Sequence, residues 1–517
     1  MNRNMEAKSF STMSASETAK HLIPDNEVKP KSVEEVKELP SFFHKMKACE
    51  AGLGEKYASL DFEIQGALVL RRLQQLTNIA LLNPLWKDRI TGSGLKKAPA
   101  SFEEWQQIPV CDKNSIHDFF TGTRPGMVVP VACGGFELVA SGGTSSGCPS
   151  ETVYSLKELH DTYRIAGDFI GNCMLKDYLA GDAPKWLMTT LADYQMWSSG
   201  TMVGGVLQQV PGVNYIGAGP VTASVYHRIM AYEGPKAIMG ITQSIAYLIE
   251  LGAGLNEEAR NSFRVAMYGS GVLPQRKQIE LKTLYPNLAI LSYFAATQAE
   301  AIGLQLSEET PYLASVPGLH LIEIVDPDGR WVKEGEEGEL VVTRLHATET
   351  PVLRFKLGDR MIRRPNIKRK DLKTEQFEFS GRSGDVIHLC DTQYSLPLVY
   401  ESICNEFTNL GLFDIKTIAH EIQFVNHRKT KQLTLLVSVD DPIATTRAVE
   451  YRFGFYGSQS IFVQALINSL SVFNSGEANI QYLDKSGYRF AIRFVDKFSP
   501  EIFRTELGKV PLLKDII

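Results

Sequence analysis

The sequence has no run of about 18 apolar residues, so nothing in it reads as a membrane-spanning helix. It has no basic excess either. Lys and Arg number 54 against 59 Asp and Glu, a net charge of −5, which argues against a nucleic-acid partner held through phosphates. Cysteine is sparse: Cys49, Cys111, Cys133, Cys148, Cys173, Cys390 and Cys404 make an odd count of seven with no C-x-x-C spacing. That excludes a disulfide framework or a zinc knuckle and leads us to expect a reduced, cytoplasmic protein. His227, His320 and His346 lack metal-ligand spacing and are read as structural or surface histidines. The P-loop pattern G-x-x-x-x-G-K-[ST] is missing, as is any internal repeat. The first residues lack an apolar signal region and are rich in Ser, Glu and Lys, so residues 1–40 are expected to be a poorly ordered leader.

At 517 residues the chain exceeds one ordinary core. Residues 57–90 carry Leu, Ile and Val at helical spacing, interrupted at Asn83 and Pro84. Asp112 is placed to cap a short helix, and Ser155, with Glu158 in the capping-box position, to cap a longer one. The middle alternates apolar runs such as "KWLMTTL", "RVAMYGSG" and "LAILSYFAA" with helical stretches, an α/β pattern. Residues 320–365 change to short β runs separated by Asp-Gly and Glu-Gly turns. A last segment follows, with strands "EIQFVNH" and "QLTLLVSVD" and a helical stretch 446–470. The expected organisation is a large α/β domain over 41–383, with a small β-rich unit inside it, and a mobile α+β domain over 384–517.

The stretch "VASGGTSSGCPSE" (139–151) admits two readings. Its glycines let backbone N–H groups converge on an anion, with hydroxyls adding donors; an ordinary flexible Gly/Ser turn has the same composition.

Taken in order with six further pieces, that stretch resembles the adenylate-forming superfamily of acyl-CoA and aryl ligases, most closely its phenylacetate-CoA ligase-like branch. "SGGTSSGCP" resembles the family's phosphate loop, "RVAMYGSGVLP" (264–274) its adenine-stacking turn, and "SYFAATQAEAIG" (292–303) its aromatic-x-x-Thr-Glu motif. "EGEEGELVVTRL" (334–345) and "TPVLRFKLGDR" (350–360) resemble the Gly-Glu-Gly-Glu-Leu and Gly-Asp segments. "SGRSGD" (380–385) resembles the hinge and "FRTELGKVP" (503–511) the C-terminal Gly-Lys motif.

The resemblance implies an enzyme that lets a carboxylate attack the α-phosphate of ATP, releasing pyrophosphate and leaving an acyl-adenylate for an acceptor. It implies ATP contacts from Ser141, Gly142, Gly143, Thr144, Ser145, Ser146 and Gly147 on phosphate. Gly269, Ser270, Gly271 and Phe294 would lie on the adenine side, with Asp359 on the ribose and Arg382 on ribose or phosphate. Thr297 and Lys509 take catalytic roles, Lys509 by offsetting charge between carboxylate and α-phosphate. Each has a plainer reading: a turn aspartate for Asp359, a structural ion pair for Arg382, a solvated surface lysine for Lys509.

Several positions depart from the pattern. The family's Mg²⁺-holding Glu is Gln298 here; Glu300 could substitute, or be an exposed or salt-bridged glutamate. The phosphate loop is one residue longer, Ser150 stands where many members have Lys, and the hinge carries Gly384. The segment "HLCDTQYSLP" lacks the glycine that lets pantetheine pass, which leaves CoA as one candidate acceptor beside an amine, a carrier protein or nitrite. Cys390 reads as a reactive thiol or a buried small hydrophobe. Tyr194, Met196, Trp197 and Ser198, with Ser199, suggest an apolar wall for a small aromatic acid, or simply core packing. The expected protein is a monomer or homodimer with ATP, Mg²⁺ and a small carboxylic acid as its ligands. The alternative is a degenerate relative that binds nucleotide without turnover.

Overall fold

In a computed structural model, residues 10, 12–140, 151–194, 196–389, 392–469, 486–505 and 508–516 are described. The chain divides into two compact units. The first comprises Met1–Ile245, Leu251–Ser270 and Asn287–Phe379; the second comprises Ala246–Glu250, Gly271–Pro286 and Ser380–Ile517. The change thus comes at Ser380, inside the strand Lys373–Arg382, rather than at Gly384.

The first unit is organised by an eleven-stranded sheet. From one edge the order is His320–Val325, Glu337–Arg344, Phe355–Lys368, Lys373–Arg382, Leu313–Ser315, Glu300–Gln305, Ala289–Ala296, Phe263–Gly269, Lys236–Ile241, Trp186–Thr189 and Asn214–Gly217. The last five are mutually parallel, as expected where helices such as Ser199–Leu207 and Ala223–Met230 carry the chain back between strands. Burial on both faces explains why "RVAMYGSG" and "LAILSYFAA" read as continuous apolar runs. From Ala289–Ala296 to Glu300–Gln305 the pairing turns antiparallel, because only a short turn separates the two strands. The β-rich stretch expected over 320–365 is present, and its strands continue this same sheet.

The cap expected at Asp112 forms, and the interruption at Asn83 and Pro84 proves to be the capped start of a new helix. Asn83 Oδ1 accepts from Leu85 N at 3.0 Å at the start of Pro84–Gly92, and Asp112 Oδ1 accepts from Ser115 N at 2.8 Å. The expected leader is corrected over its described part. Ala15–Leu22, Asp25–Val28 and Val33–Glu38 are helices, the first closed by a Ser14–Glu17 capping box. Their sparse apolar residues Leu22, Ile23 and Val28 enter the main core, while Val36 packs with Ile79, Val128 and Val129. Polar side chains of the helix Phe62–Ala80 hold the leader's carbonyls: Arg71 to Ile23 at 2.9 Å, Gln75 to Glu27 at 2.9 Å and Asn78 to Val28 at 3.0 Å.

The second unit has a four-stranded sheet ordered Arg489–Asp496, Gln432–Val439, Glu421–His427 and Leu513–Ile516, with a hairpin of Val386–Leu389 and Thr392–Ser395. Its core gathers Phe407, Phe424, Phe462 and Phe490. The helical stretch over 446–470 is two helices, Pro442–Phe453 and Gly457–Ser469, parted at Gly454, whose φ of +73° stops the first. Among the described residues Cys49, Cys111, Cys133, Cys173 and Cys404 are free thiols. No helix among them is long and apolar enough to cross a membrane.

Candidate active site

Ser141–Gly147, with Cys148 and Ser150, lie outside the described residues, as does Cys390. What is described is the hairpin that frames the loop. Phe136–Ala140 pairs antiparallel with Glu151–Ser155, and Ala140 opposite Glu151 is the pair nearest residues 141–150. Glu151 is tied to Arg124 at 2.6 Å. Ala140 N donates to Met196 O at 3.0 Å, so the root of the loop joins the turn that carries Tyr194, Met196 and Trp197.

That turn is a tight antiparallel bridge, Tyr194 N to Trp197 O at 3.0 Å and Trp197 N to Tyr194 O at 2.8 Å, with Met196 at φ +65°. Tyr194 is 57 % exposed and Met196 50 %, which overturns core packing as their role. The rings of Tyr194 and Trp197 lie 6.2 Å apart edge to face. Ser198 precedes the helix Ser199–Leu207 without capping it; Asp193 does that work, accepting from Thr201 N at 2.9 Å.

On the other side of the hairpin sits the turn between the strands Ala289–Ala296 and Glu300–Gln305. Thr297 is held through its carbonyl, which accepts from the Tyr154 hydroxyl at 2.8 Å. Phe294, half-buried beside a register shift in the strand, faces Phe379 with ring centroids 6.0 Å apart. Gln298 and Glu300 are both buried. Glu300 is buried and, among the described residues, forms no salt bridge, which corrects that expectation. It is 7 % exposed, has φ +48°, and neither carboxylate oxygen finds a hydrogen-bond partner among the described residues. Burial, then the neighbouring Glu158 carboxylate, push its pKa up to about 8.

Glu158 was read as a capping-box residue. Its backbone does meet the Ser155 hydroxyl, at 3.1 Å, but its side chain turns away to Arg344. Arg344 Nε and Nη2 reach the two Glu158 oxygens at 2.8 and 2.5 Å, with side chains 0 % and 1 % exposed. The guanidinium also donates to Val153 O and lies 3.8 Å from the centroid of the Tyr154 ring. Burial opposes the Arg344 charge, but Glu158 outweighs it and holds the pKa above its ordinary value. Tyr154, Glu158 and Arg344 were missed from the sequence. A lone Arg in the apolar run "ELVVTRL" was the available signal.

Gly269 ends its strand where a Cβ would stand 2.5–2.9 Å from the Tyr293 ring, so only glycine fits. Ser270 takes φ +66°; Gly271 opens a stretch assigned to the second unit. Asp359 follows Gly358, φ +85°, on a bulge: Arg360 pairs with Glu339 but Lys356 with Val341, leaving residues 357–359 opposite Leu340. Bulges re-aim side chains, and Asp359 is half-buried there.

In the second unit, Arg382 is exposed at a tight turn, its N donating to Asp385 Oδ2 at 3.3 Å and its O accepting from Asp385 N at 2.9 Å. Lys509 lies in a loop closed by Thr505: Thr505 N to Lys509 O at 2.9 Å and Lys509 N to Thr505 Oγ1 at 3.1 Å. The lysine is half-buried, not a solvated surface side chain. Burial, and then the Arg382 cation, lower its pKa.

His320 and His346 are structural. Burial lowers each pKa to about 3, so both stay neutral, and His346 Nε2 meets Gly318 O at 2.9 Å. Among the described residues no group of three or more His, Cys, Asp and Glu side chains gathers as a metal cage.

No protein-family model matches the sequence, and no curated protein sequence matches it. Solved structures do. The 2-hydroxyisobutyryl-CoA ligase structure in the postadenylation state, in complex with 2-HIB-AMP, is similar at TM-score 0.65 and 16 % identity, over 89 % of this chain and 91 % of that one. An open conformation of the same ligase, with 2-HIB-AMP and CoA, is similar at TM-score 0.57 and 15 % identity, over 88 % and 92 %. Its thioesterification state gives 0.53 at 16 % identity, over 89 % and 91 %. The chain has the fold of these adenylate-forming ligases.

Proposed function

We propose that this chain, with an adenylate-forming fold, is an ATP-dependent ligase that activates a small carboxylic acid as its acyl-adenylate. The observation that carries this reading is the hairpin Phe136–Ser155. It frames the phosphate-loop sequence and is fastened on one side to Thr297 and on the other to the aromatic turn at Tyr194. A carboxylate oxygen bonds to the α-phosphorus while the α–β bridging P–O bond breaks, and pyrophosphate leaves. The acceptor then attacks the acyl carbon, and the C–O bond to AMP breaks.

Each residue has a task in that sequence. Backbone N–H groups and hydroxyls over Ser141–Gly147 hold the departing phosphates. Gly269, Ser270, Gly271 and Phe294 border the adenine, and Asp359, lifted on its bulge, accepts from ribose hydroxyls. Arg382 offers its fork of donors to ribose or phosphate. The Thr297 hydroxyl orients the α-phosphate. Lys509 offsets charge between carboxylate and phosphate; its half-buried setting strengthens that interaction. Tyr194, Met196, Trp197 and Ser198 border the acid, and the exposed Tyr194 ring beside the half-buried Trp197 ring favours an aromatic one.

The residues also fit Mg²⁺. Glu300, buried with neither oxygen partnered among the described residues, is the better of the two candidates, and Gln298 offers an amide oxygen. Bound there, the ion would neutralise phosphate charge. CoA is the acceptor the similar ligase structures favour; an amine, a carrier protein or nitrite remain the other acceptors to assay. The free thiols agree with a cytoplasmic enzyme. Gln298 favours a second reading, nucleotide binding without turnover.

An acid-dependent ATP–pyrophosphate exchange screen over aromatic and aliphatic acids tests the proposal, followed by CoA, amines and nitrite with the best acid. Exchange with at least one acid is expected. ATP binding with no exchange for any acid would select the non-catalytic reading.

A further inference from the structure

The adenylation chemistry places two demands on chain segments far apart in sequence. The phosphates must be held by residues 141–147, and the α-phosphate must meet the Thr297 hydroxyl. Both need fixed positions relative to each other, because a misplacement of about 1 Å costs up to about 100-fold in rate. Among the described residues, a hydrogen bond joins the hairpin strands that bracket residues 141–150 to the Thr297 turn. Tyr154 is paired with Glu137 on the hairpin that frames the loop, and its hydroxyl reaches the Thr297 carbonyl across a separation of 143 residues.

The Tyr154 ring is itself immobilised. It is fully buried, and the Arg344 guanidinium covers it at 3.8 Å. Arg344 in turn is fixed by both Glu158 oxygens and by the carbonyl of Val153, the residue before Tyr154. Thr350 Oγ1 donates to that same carbonyl at 3.0 Å. A phenol wedged this way has no freedom to follow a drifting turn, so the turn must follow the phenol. The turn needs such an anchor: the strand before it carries a register shift, and Glu300 just after it is held at φ +48°.

We infer that Tyr154 is a positioning residue that sets the Thr297 hydroxyl relative to the hairpin strands Phe136–Ala140 and Glu151–Ser155, with Arg344 and Glu158 clamping its ring. The inference rests on the adenylating reading above. Tyr154 touches no reacting atom; it acts through the peptide carbonyl of Thr297.

A double-mutant cycle separates this role from simple stability. Tyr154→Phe deletes only the hydroxyl. Thr297→Val keeps the carbonyl but removes the side-chain hydroxyl that Tyr154 is argued to place. In acid-dependent ATP–pyrophosphate exchange, Tyr154→Phe should lower kcat about tenfold with the KM for ATP nearly unchanged. In the Thr297→Val background the same change should cost almost nothing in kcat, while its effect on Tm stays equal in both backgrounds. An equal kcat loss in both backgrounds, or no loss in either, overturns the inference while leaving the enzyme an adenylating one. Absence of exchange from the wild-type chain overturns the adenylating reading itself. If Tyr154→Phe folds poorly, Arg344→Lys provides the second variant: it keeps a cation for Glu158, loses the planar cover on the ring, and should show the same dependence on Thr297.

Discussion

Thr297 and Lys509, the two side chains assigned to catalysis, are held in opposite ways. The Thr297 turn joins two paired strands of the large sheet and is fixed by groups distant in sequence: Tyr154 through its hydroxyl, with Arg344 and Glu158 behind it. Lys509 sits in a loop where the hydrogen bonds described for its own backbone are local, with Thr505, and the long-range ties of the segment fall on neighbours: Gln423 meets Phe503 and Pro511, and Glu421 meets Arg504. Gly508, at φ +74°, lets that loop turn. The difference teaches which part of the site is built for permanence. Long-range buried contacts make position and stability one property, so the first region cannot be altered without loosening the fold. Local contacts separate them, so the second can change chemically while the fold stands.

The sharpest way to break that contrast is to remove Arg344. Arg344→Met leaves the Glu158 carboxylate buried without its partner, and losing one half of such a pair costs about 3–5 kcal/mol. Urea denaturation should show that loss, and exchange activity should fall with it. A stability change below about 1 kcal/mol would mean that the buried pair does not anchor this region.

Lys509→Ala is the opposite experiment. Removing a charge aimed at a transition state costs about 100- to 1,000-fold in kcat, while the backbone bonds that close the loop, between Thr505 and Lys509, do not need the lysine side chain. Exchange should collapse with Tm unchanged and ATP binding largely intact. Exchange at the wild-type rate would sink the role assigned to Lys509.

Much of this architecture was legible beforehand, and the part that was not has a physical reason. The parallel strands announced themselves because burial on both faces demands apolar runs, and Asp112 and Ser155 because capping is local chemistry. Asp359 and Lys509 stand in ordered motifs, and their roles remain what the resemblance implies. The leader was misread because Leu22, Ile23, Val28 and Val36 are spread too thinly to show a period. Its anchors, Arg71, Gln75 and Asn78, lie on a different helix. Glu158 was assigned to a cap because sequence shows a neighbour three residues away and hides one at Arg344, 186 positions on. Tyr154 was invisible for the same cause. Contacts that run across the sheet leave no periodic trace.

A smaller effect should appear at Glu300. Its pKa rises from an ordinary 4.5 to about 8, so the folded chain holds a proton there that the unfolded chain has released. Stability therefore falls as pH rises through that window, the reverse of a salt-bridged carboxylate. Glu300→Gln, which cannot ionise, should match wild type in Tm near pH 4.5 and exceed it by several degrees at pH 8, measured without divalent cation. Equal Tm values at both pH values would show that the carboxylate is solvated.

The finest test returns to the second region, where Lys509 and Arg382 are two cations of one unit. Burial is the larger cause of the lowered Lys509 pKa and the Arg382 charge the lesser. A lowered pKa means that the ammonium is lost at a lower pH than an ordinary lysine, so the exchange rate should fall early on the alkaline side. Arg382→Gln removes the repelling charge, raises the Lys509 pKa and moves that alkaline limb to higher pH. Arg382→Lys keeps the charge and should leave the limb in place. Because Arg382 is also assigned to ribose or phosphate, the height of the profile drops in the Gln variant, but the position of its limb reports only the proton on Lys509. A limb that stays fixed with Gln would mean burial alone sets the Lys509 pKa. A limb that moves equally with Lys would mean that the guanidinium acts through its geometry rather than its charge.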